Sequence, residues 1–124
     1  MATYTLIESQ VLGSGNPYPT TSLQGSGAAA SSSRYAYNSM YAINTTPAAT
    51  STASTFGTAE FYIPNYTGSA QKQISQVSMS ETNATTAYID ASAVLFTDTT
   101  PVTRLDALLN YGSFVTGSSF YLYG

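Results

Sequence analysis

The sequence predicts an all-β protein, a β-sandwich or jelly-roll-like domain of about seven strands. Three observations carry that prediction. Short alternating or apolar runs are separated by turn signals at close, regular spacing. Eleven Tyr and five Phe, with no Trp, favour strands over helices. Residues 110–124, NYGSFVTGSSFYLYG, carry no charge and alternate, with Phe120 and Leu122 on one face and Ser119, Tyr121 and Tyr123 on the other. Such a segment is expected to be tied into a sheet, with Phe120 and Leu122 in the core and truncation at Ser118 preventing folding.

The other elements follow in chain order. Residues 3–12, TYTLIESQVL, read as a strand with Thr5, Ile7, Ser9 and Val11 on one face. Residues 13–19, GSGNPYP, are dense turn chemistry. Residues 23–33, LQGSGAAASSS, are small and of low complexity and read as a flexible surface loop. Residues 34–44 then place Tyr35, Tyr37, Tyr41 and Ile43 in period two, as on one strand. A Ser/Thr/Ala linker containing Pro47 spans 45–55.

Residues 55–63, TFGTAEFYI, form the next expected strand, with Phe61 and Ile63 toward the core; PNYTG at 64–68 ends it. In residues 72–81 the apolar positions Ile74, Val77 and Met79 slip by one, which suits a bulge. Residues 87–97, AYIDASAVLFT, become apolar on both faces, as a central strand does, and Leu95 is assigned to the core. A turn at 99–102 leads into a further strand at 102–109.

Length and composition limit the function. At 124 residues the chain is one domain, 1–124, that buries about two-thirds of its unfolded surface. Charged residues make up 7%, against about 25% in an ordinary domain. Arg34, Lys72 and Arg104 stand far apart in sequence, and the net charge is −3, so a nucleic-acid partner is excluded. Without cysteine there is neither a disulfide framework nor a thiolate metal site. No apolar run approaches the ~20 residues of a membrane helix, and the start lacks the pattern of a signal peptide. The expectation is a protein made in a cytoplasm, with no membrane partner, that works packed against neighbours.

The residues that carry chemistry are few. Histidine is absent, removing the commonest general base and metal ligand together. Ser69 and Lys72 match the spacing S-x-x-K, but that chemistry needs one helical turn and supporting motifs, and here the pair leads into a strand. Asp90, Asp98 and Asp106 recur every eight residues without the crowding of a calcium loop, and read as isolated carboxylates. Asn44, Asn65 and Asn83 begin glycosylation sequons, which are common by chance in so Ser/Thr-rich a chain. The glycines at 13–15 and 25–27 lack the lysine of a phosphate loop. Tyr35, Tyr37 and Tyr41 offer two readings, an exposed platform for a sugar or protein, or the core face of their strand; the alternation with Arg34, Ala36 and Asn38 favours the core. The expectation is no enzyme, no cofactor and no metal.

Five segments in order carry a resemblance: ATYTLIESQVLGS (2–14), LQGSGAAASSS (23–33), EFYIPNY (60–66), ETNATTAY (81–88) and GSFVTGSSFYLYG (112–124). Together they resemble a small β-sandwich module of virion structural proteins of tailed bacteriophages, including those of cyanobacteria. The chain departs from that pattern where Gly13 and Ser14 run directly into Gly15, Asn16, Pro17 and Tyr18: the family pattern places an apolar strand, often with a further one, before this turn, which implies either a shortened variant or a segment omitted between residues 13 and 16. The resemblance implies a capsid decoration or cement protein located in the virion. Its partners would be the major capsid protein, other virion proteins and copies of itself. The alternatives are a tail-fibre or receptor-binding module, and a carbohydrate-binding module that uses Tyr35, Tyr37 and Tyr41. The family offers no catalytic residue to carry over.

Overall fold

The computed structural model describes residues 5–8, 18–37, 40–41, 54–81, 86–109 and 114–124, with side chains except at 5–8, 37, 40–41 and 108–109. These residues form eight strands and no helix: β1 (Thr5–Glu8), β2 (Tyr18–Ser26), β3 (Ala29–Tyr37), β4 (Met40–Tyr41), β5 (Gly57–Tyr62), β6 (Lys72–Glu81), β7 (Ala87–Phe96) and β8 (Asp106–Leu109). The chain is all-β. Five strands make an antiparallel sheet in the order β3-β2-β7-β6-β5, and three short ones pair as β4-β1-β8. The run at 87–97 is the central strand β7, as expected from the sequence.

The low-complexity stretch at 23–33 is not a loop. It is the end of β2, a two-residue turn and the start of β3, paired in register from Tyr18↔Tyr37 to Ser26↔Ala29. Gly27, at φ 60°, is the first turn residue, the position where a primed hairpin turn needs a left-handed backbone that matches strand twist. Ser and Ala have no strong β preference, but backbone pairing with β2, itself paired to β7, overrides a weak propensity. The run 34–44 is divided in turn. β3 ends at Tyr37, and Tyr41 belongs to β4, which pairs with β1 in the other sheet.

β6 is continuous, and its register with β5 and β7 is unbroken, so the expected bulge does not occur. The slip at Val77 was in polarity rather than in backbone. Burial alternates strictly from Lys72 to Glu81, with Lys72, Ile74, Gln76, Ser78 and Ser80 inward and Val77 and Met79 outward. Register carries this division across the sheet. Thr20 and Ser22 of β2 and Asp90, Ser92, Val94 and Phe96 of β7 share the buried face.

The apolar core occupies one end of that face. Tyr18, Ile74, Val94, Phe96 and Val102 are buried there, with Phe61 and Ile63 packed against them as expected. The Tyr18 and Phe96 rings stack at 5.5 Å. Leu95, assigned to the core from sequence, is half-buried and lies opposite Gln73 on the outward face; its neighbours Val94 and Phe96 point inward instead. Asn65, at φ 51°, shapes the turn after β5, where the Gly68 amide donates to the Asn65 carbonyl at 3.0 Å.

The segment 114–124 contains no strand, which corrects the expectation of a core strand there. Phe120 is 59% exposed and Leu122 86%, so neither is core. A turn at Gly117 (φ 98°), closed by the Ser118 amide donating to the Val115 carbonyl, brings Phe120 edge-on to Phe114 at 4.8 Å. Alternation marks strand competence, but a strand exists only where an edge pairs with it, and here the two phenylalanines pair locally. Residues 9–17, 42–53, 82–85 and 110–113 lie outside the described residues, and with them the expected break between 13 and 16 and most of the 45–55 linker.

Candidate functional site

Of the five-stranded sheet's two faces, the outward one carries an unusual surface. Leu23, Val77, Met79 and Ile89 project from it, 61%, 41%, 47% and 47% exposed. Register makes them neighbours. Leu23, Ala91 and Val77 form one row across β2, β7 and β6, and Gly25, Ile89 and Met79 form the next. Gly25 leaves room for Ile89, whose Cγ2 would stand 3.0 Å from a Cβ placed there. Contiguous exposed apolar surface of this kind marks a protein-contact region more often than chance scatter does.

The corresponding rows of the inward face are polar. Asp90 is fully buried, and its Oδ2 accepts from Ser22 Oγ at 2.6 Å and from Gln24 Nε2 at 3.0 Å, while Oδ1 accepts from Ser92 Oγ. Gln76 Nε2 donates to Ser78 Oγ at 3.4 Å. No ion pair to Asp90 occurs among the described residues, so three neutral donors take the place of water around the carboxylate. This half of the sheet is therefore inverted, with hydroxyls and amides inward and aliphatic side chains outward.

The remaining charges have local tasks. Lys72, fully buried, donates from Nζ to the carbonyls of Thr100 and Asp98, and stands 5.6 Å from the centre of the Phe96 ring. The Asp98 carboxylate accepts from the Thr100 amide at 2.7 Å. That bond and the Thr100 side chain hold its pKa below the ordinary 3.8, with a smaller contribution from Lys72. Arg104 pairs with Asp106 at 2.9 Å. Asp90, Asp98 and Asp106 are thus in three different settings, and no three carboxylates gather among the described residues.

Ser69 is exposed in the bend before β6, whereas the Lys72 ammonium is occupied with backbone carbonyls on the buried face. That is not the one-turn geometry that an S-x-x-K pair uses. The three tyrosines are divided between the two sheets. Tyr35 is half-buried opposite Thr20 on the inward face, Tyr37 lies at the register position opposite Tyr18, and Tyr41 belongs to the other sheet. The side chains of Tyr37 and Tyr41 lie outside those described.

Sequence reasoning did not single out the outward patch or the Asp90 cluster. The available signal was the polar run Gln76, Ser78, Ser80 against Val77 and Met79, which fixes two faces but not which one is buried. Compared with known protein families, curated proteins and solved structures, the chain matches none of them.

Proposed function

We propose that this chain is a virion structural protein of a tailed bacteriophage, a small decoration or cement protein on the capsid surface that acts by association rather than catalysis. The observation that carries the reading is the outward apolar face of Leu23, Val77, Met79 and Ile89, a surface for a partner rather than for water. The five segments resembling phage virion modules and the scarcity of charge, 7% of residues, support the same reading. One sheet face buried against one exposed face further supports a β-sandwich, in which the five-stranded sheet is one layer. The partners are the major capsid protein, other virion proteins and further copies of the chain, with neither nucleic acid nor membrane involved. Synthesis takes place in the bacterial host cytoplasm. On a repeating lattice, contacts of modest individual strength add through avidity.

Immunogold labelling of intact particles tests this reading. Label over the head supports the decoration role. Label confined to the tail replaces it with a tail-fibre or receptor-binding role, and particles without label overturn the virion assignment.

A further inference from the structure

We propose that the outward face of the five-stranded sheet packs against the same face of a second copy, about a two-fold axis parallel to the strands. This deepens the associative reading above and rests on it, naming both the surface and the partner. Lys72 is buried and Arg104 is paired with Asp106, so among the described residues Arg34 is the cation left exposed without an ion pair. Arg34 lies opposite Thr21, on the outward face of edge strand β3. Glu60 lies opposite Val77, exposed on the outward face of the other edge strand, β5. The apolar patch lies between these opposite charges.

That layout decides the symmetry. A two-fold axis running along the central strand β7 lays β3 of each copy over β5 of the other, so that each Arg34 meets a Glu60. The two residues are one row apart, about 7 Å along the strands, an offset that an arginine side chain spans across sheets about 10 Å apart. An axis perpendicular to the strands would set Arg34 against Arg34 and Glu60 against Glu60, which like-charge repulsion opposes.

The strand-parallel arrangement also makes the apolar rows self-complementary. Val77 of one copy faces Leu23 of the other, Met79 faces Gly25, and Ile89 with the small Ala91 and Ala93 lies along the axis. Five strands about 4.8 Å apart, nine or ten residues long at most, give a face of roughly 700 Å² per copy, close to the ~800 Å² per partner of a standard interface.

Sedimentation velocity of the intact chain, over a concentration series at low and high salt, tests the proposal. The expected result is a dimer that Ile89→Lys dissociates, since the substitution places two ammonium groups together at the centre of the face. Arg34→Glu and Glu60→Arg should each weaken the dimer about tenfold, less at high salt, because each breaks two symmetric ion pairs. The combined Arg34→Glu, Glu60→Arg variant should recover wild-type affinity. All three side-chain changes are at exposed strand positions, and unchanged circular dichroism verifies folding.

A chain monomeric at about 100 µM, beyond the range of ordinary specific complexes, overturns the proposal. So does a dimer indifferent to Ile89→Lys, or a combined variant no tighter than the single ones. The two readings fail separately: a monomer that still labels phage heads overturns the dimer alone, and a dimer missing from particles overturns the virion assignment alone.

Discussion

Replacing Asp90 by Ala should destabilise the fold by about 3 kcal/mol. The carboxylate accepts from Ser22, Gln24 and Ser92, two of them buried and Gln24 half-buried. A hydrogen bond to a charged group contributes roughly 1.5–3 kcal/mol net, so the three together suggest about 5–9. Two effects reduce that sum. Removing the ion also removes its own desolvation cost, several kcal/mol, and the partly exposed Gln24 amide can turn to water. The Ser22 and Ser92 hydroxyls remain, and a buried donor left unpaired costs about 1–3 kcal/mol. Asp90→Asn should cost less, about 1–2 kcal/mol, because a serine hydroxyl can rotate to accept from the new amide. Urea unfolding at pH 7, followed by tyrosine fluorescence since the chain lacks Trp, measures both variants. With an m-value of about 1–2 kcal/mol/M, Asp90→Ala should lower the midpoint by about 2 M. A loss under about 1 kcal/mol, or an Ala variant as stable as the Asn one, would refute the account of a satisfied buried carboxylate.

Other expectations follow from the same geometry. Asp98, with its pKa held below 3.8, adds stability that is complete above its unfolded value and disappears as pH falls through the lower folded one; Asp98→Asn should therefore be less stable than wild type at pH 6, with the difference shrinking as pH falls below 3.8, as urea midpoints would reveal. Gly27→Val meets no crowding, its Cβ lying 3.8 Å from Thr86, but must hold φ 60°, and thermal unfolding should record a cost of about 1–2 kcal/mol, smaller for Gly27→Asn. Deleting residues 119–124 should leave the fold intact by circular dichroism, with a loss of about 1 kcal/mol at most from the Phe114–Phe120 edge contact; collapse of the fold would restore the core-strand reading of that segment.

Legibility in the sequence was uneven, for identifiable reasons. β5 and β7 fall within runs whose aromatic and β-branched content leaves little choice, and Phe61 and Ile63 pack against the core as their alternation implies. β2 and β3 were obscured because Ser and Ala carry neither strong propensity nor hydrophobic period; the turn glycine was visible, but the pairing it closes was not. The aromatic run at 119–123 misled for the opposite reason, a strong local pattern without a pairing edge. The Asp90 cluster joins residues 68 positions apart, and no local pattern announces such a contact.

What the sequence determined by itself is the all-β class and the scarcity of charge, since composition and period-two patterning survive any arrangement of strands. Only the tertiary structure decided which side of the main sheet is inside. Alternation distinguishes two faces of a strand without ranking them, and the usual rule that the apolar face turns inward fails from Gln76 to Ser80. There Ser22, Gln24 and Ser92 satisfy a buried carboxylate, and the cost of leaving Val77, Met79, Ile89 and Leu23 outward falls on the isolated chain. That balance arises from contacts between distant strands, which exist only once the sheet has assembled.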